Sequence, residues 1–483
     1  MGFSRYNLTR GHAACALASA TLLLGACSTT STQPARHEAI GEASSRLGRD
    51  AATFAPTDAP RAWVPGTPLT MEAAIADSLS QDPSLRAALA RLDAATASVD
   101  QASRLPNPML DLIGGVPLMD MGVTPYGVML AQQLSFLWTL ERREAIATAN
   151  LRAATVEAAA AFVGGGLDAR AQYITAWTDT EVARLTAGAL ASAVRIEAAM
   201  QVQVDSGLRP ASDLVDPIAA RARLEAQAAA TRAQAMQSQL ALLRRVGAPE
   251  AALPTLSVPV DLTPLHDART PDAEALARDA GTLDENLTIL AAKARVTSAA
   301  AQLGLDEASR WDGVALSVGR ERDMEGDSAW MFGLSIELPI LDDGSPAIAR
   351  AAAELDAARL DAEAARQDVI SRLRSSAARL VATQAGLAAA EAISEASSRS
   401  AEADARDARE GLTPPVTALQ AAIRRDQDLT ALAGARAARA LATIYIERAR
   451  LGARPTTALA NTQPGALSGA RASSSTQSME IMP

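Results

Sequence analysis

The chain carries one design twice. Gly207-Leu208-Arg209-Pro210 returns as Gly411-Leu412-Thr413-Pro414 at an offset of 204 residues. At the same offset Leu130-Ala131-Gln132-Gln133-Leu134-Ser135-Phe136-Leu137 returns as Leu334-Ser335-Ile336-Glu337-Leu338-Pro339-Ile340-Leu341. The copies also close alike, with Leu242-Leu243-Arg244-Arg245-Val246-Gly247 against Glu447-Arg448-Ala449-Arg450-Leu451-Gly452. A repeat of this length is a duplicated unit of several elements, not a short-period solenoid. Activity is therefore expected from the assembled shape.

Each copy has the same order of elements. The first, 67–255, opens with a helix over about 70–103, which Thr70 can cap and which carries Leu85, Leu92 and Val99 at spacing seven. Leu105-Pro106-Asn107-Pro108 leads into strands at about 108–116 and 126–137, joined by a loop with Asp120 and Gly122. A very long helix over about 141–206 breaks at Gly207 and Pro210, giving a tip at about 205–211, and a return helix follows over about 211–246. A linker at 256–270 precedes the second copy, 271–452. There the helix runs over about 271–308 and the strands over about 311–320 and 329–341, joined by a loop with Glu325, Gly326 and Asp327. A long helix to about 410, with Leu373, Leu380 and Leu387 at spacing seven, reaches a tip at about 407–415, and a return helix ends near Leu451. Leucines at spacing seven suit a coiled-coil seam or ordinary amphipathic packing. Segment 27–66 reads as an extended, turn-rich arm, and 453–483 as a disordered Ser/Thr/Ala/Gln tail.

The lengths decide the architecture. At about 1.5 Å per residue, a helix of about 65 residues spans about 98 Å, and a return helix of about 36 residues covers half of it. The opening helix supplies the rest if stacked end to end on the return helix. Each copy then pairs one continuous helix with two stacked ones and carries a two-stranded hairpin at one end. Beyond the N-terminal leader no segment offers the roughly 18 unbroken apolar residues of a spanning helix, so any membrane crossing falls to strands of about 9–12 residues. Four strands cannot close a barrel, and an open edge is not tolerated in lipid. Three copies supply twelve strands. The expected fold class is mainly α with a membrane β-barrel part: duplicated long helical hairpins forming an α-barrel, and four β-strands per chain completing a 12-stranded barrel in a trimer.

Composition agrees. Hydrophobic residues make up 48% of the chain but aromatics only 3%, which suits long, closely packed helices rather than an aromatic-cored globule. Of the 45 basic residues only Lys293 is lysine, the arginines are interleaved with acids, and the net charge is −10. That pattern argues against a nucleic-acid partner.

Residues 1–26 read as a lipoprotein signal peptide, with Arg5 and Arg10 at its basic start and an apolar stretch from Ala13 to Leu24. Leu24-Gly25-Ala26-Cys27 resembles the bacterial lipobox, in which the cysteine is diacylated and becomes the first residue of the mature chain. Loss of Arg5 and Arg10 takes the net charge from −10 to −12, and loss of Cys15 leaves Cys27 without an intramolecular disulfide partner. Ser28 in the position after the cysteine implies sorting to the outer membrane.

The duplication, the Leu-Pro-Asn-Pro before the first strand, the Leu-x-x-x-Leu-x-x-Leu strand exits and the Gly-Leu tips together resemble the TolC-like outer-membrane factors. These are the exit ducts of tripartite efflux pumps and type I secretion systems, and the resemblance covers roughly residues 67–452. Leu69-Thr70-Met71-Glu72-Ala73-Ala74 and Asn107-Pro108 are most similar to the CzcC-like metal-efflux branch. The resemblance implies a homotrimer with its barrel in outer-membrane lipid and a helical tunnel in the periplasm. It implies tips that dock on a periplasmic adaptor (a membrane fusion protein) through a Gly-Leu-x-Thr-like turn, served by an inner-membrane pump of the RND type. Gly411, Leu412 and Thr413 fit that turn; Gly207 and Leu208 fit it, and Arg209 departs from it. Asp205, Asp404 and Asp407 are candidates to ring the pore entrance, with Arg209 and Arg406 as partners that close it. The alternative for each acid is a solvated helix face. The expected function is a passive exit duct for heavy-metal or drug efflux. The alternatives are a type I protein-secretion duct and a structural coiled-coil envelope lipoprotein.

An enzyme is not expected. His37 lies in the arm and His266 in the linker, the carboxylate pairs lie on helix faces, and Gly164-Gly165-Gly166 lacks the Lys-Ser/Thr of a phosphate loop. Those glycines suit close helix approach or a bend. No cofactor and no dedicated metal site are expected, and Met119 and Met121 beside Asp120 read as incidental loop residues.

Overall fold

The computed structural model describes residues 31–49, 62–115, 125–259 and 278–453, apart from 312, 324, 339 and 341. Cys27, the loop with Met119 and Met121, His266 and the tail beyond 453 lie outside the described residues. The elements in chain order are α1 (Gln33–Leu47), α2 (Met71–Gln81), α3 (Pro83–Ala102), β1 (Met109–Gly114), β2 (Tyr126–Gln133), α4 (Phe136–Asp205), α5 (Val215–Arg245), α6 (Ala280–Asp284), α7 (Leu287–Ala308), β3 (Ala315–Arg322), β4 (Ser328–Ser335), α8 (Ser345–Arg409) and α9 (Pro415–Leu451). They fall into two compact units. One is drawn from the described residues of Met1–Ala39, Leu89–Thr155 and Ala292–Asp361, the other from those of Ile40–Ala88, Val156–Ala291 and Ala362–Pro483.

The first unit holds the sheet. Its strand order is β1-β2-β3-β4, every pair antiparallel, and β2 pairs with β3 across the two copies of the repeat. The strands are shorter than the sequence led us to expect. The Leu-Ser-Phe-Leu run assigned to the end of the second strand instead opens α4. The Ser135 carbonyl accepts the Thr139 N–H at 3.0 Å and the Thr139 hydroxyl at 2.9 Å, and this turns the chain into the helix. On the other side, Ser309–Trp311 is a 3₁₀ turn, so β3 begins only at Ala315.

Two further expectations are corrected. The arm at 27–66 is not wholly extended, because α1 lies within it. Ala35, Ala39 and Ala43, buried at spacing four, give that helix its apolar stripe, and Arg36 Nε donates to Asp93 at 2.7 Å. The opening helix of the first copy is also not continuous. Asp82, with ψ 119°, separates α2 from α3 because Pro83 excludes its neighbour from helical geometry. In the second copy the helix breaks at Asn286, whose side-chain amide donates to the carbonyls of Ala449 at 2.9 Å and Arg450 at 3.0 Å.

The second unit is packed along its helices. Leu85, Leu373, Leu380 and Leu387 are all buried, as is Leu92 of the first unit. Gly165 and Gly166 make room on α4: a Cβ there would lie 3.0 Å from Leu85 and 3.1 Å from Leu47. Trp63, Leu69, Tyr173, Leu242 and Val246 form one apolar cluster. The Tyr173 hydroxyl donates to the Leu69 carbonyl at 2.7 Å, and burial pushes its pKa up to about 12. Near the ends of α5 and α9 the fully buried Asp168 of α4 meets Arg448 of α9 and, at 3.7 Å, Arg245 of α5. Arg245 also donates to Asp82 at 2.7 Å.

Candidate functional site: two helix tips and an uncovered sheet

Both long helices end by the same device. The Leu208 N–H donates to the Gln203 carbonyl at 2.9 Å and the Gly207 N–H to Val204 at 2.9 Å. In the other copy Leu412 donates to Asp407 at 2.8 Å and Gly411 to Ala408 at 3.3 Å. Gly207 and Gly411 take φ of 74° and 75°, the left-handed geometry that lets the glycine close a Schellman cap. The return helices α5 and α9 also close at left-handed glycines, Gly247 and Gly452, but there the residue that follows, Ala248 or Ala453, is buried. At the tips it is a leucine, 78% exposed at Leu208 and 71% at Leu412. A Schellman cap commonly packs that residue against the helix's last turn. Here the facing positions are the polar Gln203 and Asp407, so both leucines stay in water.

The two tips stand together on a common apolar base. Ile196, Met200 and Leu214 of the first copy pack with Val416, Leu419 and Ile423 of the second. The tips differ at their third position. Arg209 is held by Asp213 at 3.3 Å within its own tip, whereas Thr413 is half-buried and its hydroxyl oxygen is shielded without a hydrogen-bond partner. Asp205 is exposed and accepts from Gln201 at 2.7 Å; Asp404 and Asp407 are half-buried and Arg406 is exposed. Among the described residues neither Arg209 nor Arg406 pairs with these three acids. The buried cluster around Asp168 was not anticipated. Its signal was the arginine-rich ending shared by the two copies.

The sheet has two unlike faces. Leu110, Leu112, Leu130, Val318, Phe332 and Leu334 project on one face, register with one another across the strands, and are all at least 37% exposed. Tyr126, Arg320, Arg322 and Trp330 complete that face toward the hairpin loops. The opposite face carries Asp111 and Glu321, the small residues Gly127, Ala131, Ser317, Gly319 and Gly333, and fewer large apolar side chains, Met109, Ile113, Met129 and Met331. The outer edges of β1 and β4 have no strand partner among the described residues. No described helix is long and apolar enough to cross a membrane.

Residues 281–450 match the family described as outer membrane efflux protein. Among solved structures, the chain is similar to a membrane protein from Pseudomonas aeruginosa at 19% identity and a TM-score of 0.65, covering 79% of this chain and 93% of that one. It is similar to the CmeC outer membrane channel of Campylobacter jejuni at 14% identity and a TM-score of 0.66, covering 80% and 86%. A third is the outer membrane protein VceC of Vibrio cholerae, at 19% identity and a TM-score of 0.62, covering 80% and 97%. No curated protein sequence matches the chain. The family match and the shared fold together show the resemblance to the TolC-like outer-membrane factors, and a mainly helical fold with four strands in one sheet. That family is one of channels, not enzymes.

Proposed function

We propose that this chain is one third of a passive outer-membrane duct, the exit subunit of a tripartite efflux system. Three copies close their sheets edge to edge into a 12-stranded barrel, and the helices of the three continue it as a tunnel into the periplasm. The observation that carries this reading is the sheet itself. It exposes a wide apolar face and, among the described residues, leaves two unpaired edges, which are costly in water and forbidden in lipid unless the sheet closes on further copies. The domain order follows the duplication, with the 67–255 and 271–452 copies each supplying one hairpin and one tip.

At the tips, Leu208 and Leu412 are apolar knobs on rigid caps, suited to grooves on an adaptor. Gly207, Leu208 and Arg209, with Gly411, Leu412 and Thr413, are the docking set, and Asp205, Asp404, Asp407 and Arg406 line the closed entrance. Acylated Cys27 tethers the mature chain to the inner face of the outer membrane. An inner-membrane pump of the RND type supplies the energy, and the CzcC-like features favour heavy metals over drugs as cargo.

The test is reconstitution. Purified protein should have trimer mass in detergent and conduct in planar bilayers once the tips are opened by mutation. A monomeric protein, or a trimer that never conducts, overturns the reading.

A further inference from the structure

The methionines of the sheet are segregated. Met109, Met129 and Met331 all project, with Ile113, on the face opposite the one whose large apolar side chains are Leu, Val, Tyr, Trp and Phe. Burial alone gives no reason for that division, because leucine and methionine fill similar volumes. The register makes it specific. Asp111 stands opposite Met129, Met129 opposite Gly319, and Gly319 opposite Met331. One row across the four strands therefore reads carboxylate, thioether, glycine, thioether.

Strands about 4.8 Å apart put Met129 and Met331 about 10 Å apart at Cα, with nothing projecting between them because the middle residue is glycine. Two long unbranched side chains can lean across that gap. Gly319 is buried although it lies on a broadly exposed sheet, so its neighbours close over it. A Cβ at Gly319 would lie 3.1 Å from the Met129 Cβ and 2.6 Å from the Val128 carbonyl oxygen. Met129 and Met331 share the lining of one cavity of about 190 Å³ with Glu321 and Ile113. Among the described residues there is no cluster of three or more His, Cys, Asp or Glu fit for a metal.

We propose that Met129 and Met331, with Asp111 and Glu321 beside them, form a contact site for a soft monovalent cation, Cu(I) or Ag(I), on the inner wall of the duct. Thioethers select these ions over hard divalent ones, and the carboxylates balance the charge. Two sulfurs on an open wall bind weakly enough to release the ion, which passage requires. The assignment to the inner wall rests on the duct reading. The site itself rests on the register.

Silver nitrate is the probe, titrated by calorimetry into the full-length protein in detergent and chloride-free buffer. Wild type is expected to take one Ag(I) per chain at this site, and M129L/M331L to lose it or bind at least tenfold more weakly. M236L, a substitution at an exposed methionine of α5, should leave that site unchanged. Equal silver binding by wild type and M129L/M331L overturns the proposal, as does Zn(II) binding with the same dependence on the two methionines. Bilayer conductance of the same preparations separates the two readings. Conducting trimers whose silver binding ignores both methionines remove the site and leave the duct. Methionine-dependent silver binding by a protein that never conducts keeps the site and removes the duct.

Discussion

Asp168 and Arg448, 280 positions apart and from different copies of the repeat, form an ion pair whose carboxylate is wholly buried. With Arg245 at 3.7 Å on the same carboxylate, one side chain of the first long helix holds the ends of both return helices. A buried charge is tolerated only while its partners remain, so the cluster fixes geometry more than it adds stability.

Arg448→Met should therefore cost about 3 kcal/mol, the low end for a broken buried pair because Arg245 still faces Asp168. Pairing it with Asp168→Leu should recover most of the loss, leaving Arg245 to Asp82. Urea midpoints of the two variants decide this; a double variant no more stable than the single one contradicts it.

Leu412→Asp should leave trimer assembly intact and abolish resistance in cells, since the leucine is largely exposed on its own tip. Leu208→Asp should do the same if the two tips dock alike. Arg209→Thr then makes the first tip resemble the second, and a gain in adaptor affinity is expected in a pull-down.

The tip glycines and the return-helix glycines should respond differently to alanine. At Gly411 nothing lies within 4 Å of an added Cβ, so Gly411→Ala should cost about 1 kcal/mol of left-handed strain alone. At Gly452 the added atom would lie 2.2 Å from Asn286 Oδ1 and 2.7 Å from the Leu287 nitrogen, and Gly452→Ala should cost clearly more. Thermal unfolding of the two variants measures the difference.

Phe332→Arg on the apolar face should destabilise the membrane-inserted protein by about 2–4 kcal/mol, while Ala131→Arg on the opposite face should be tolerated. Unfolding from lipid vesicles in urea reports both. Equal costs would show that the apolar face does not meet lipid.

Burial raises the pKa of Asp179 above the ordinary carboxylate value, against hydrogen bonds from Ser238 and Gln234 that lower it. With the folded value above the unfolded one, the native state holds the proton more tightly. This residue's contribution to stability therefore falls as pH rises through the carboxylate range. Asp179→Asn should raise the urea midpoint at pH 7 and flatten its pH dependence. An unchanged midpoint would set that linkage aside.

Much of the architecture was legible because it rests on periodicity and on glycine. Gly207 and Gly411 marked the reversals, and the leucines at 85, 92, 373, 380 and 387 marked the buried seams. Helix α1 was hidden because its buried stripe is alanine in an otherwise polar segment, where composition suggests a loop. The break at Asp82 has a signal in the Asp82-Pro83 dipeptide, which the even spacing of the leucines after it obscures. Asp168 could not be told from the acids of solvated helix faces, because its burial depends on Arg245 and Arg448 arriving from distant helices. The methionine row was equally hidden: alternation gives each strand two faces, but only the register between strands lines Met129 up with Met331.

The pairing of β2 with β3 has a consequence for how the protein comes into being. Gln133 and Ala315 must meet across the whole of the first helical hairpin and the opening helices of the second copy, while Arg322 and Ser328 close a loop of a few residues. Five doublings of loop length cost about 3 kcal/mol more in closure entropy. The two strand pairs therefore zip early and separately, and the seam between them forms only once the second hairpin has been synthesised. A ribosome-released chain thus carries two separate hairpins before it carries one sheet, with their apolar faces in need of shelter during the interval.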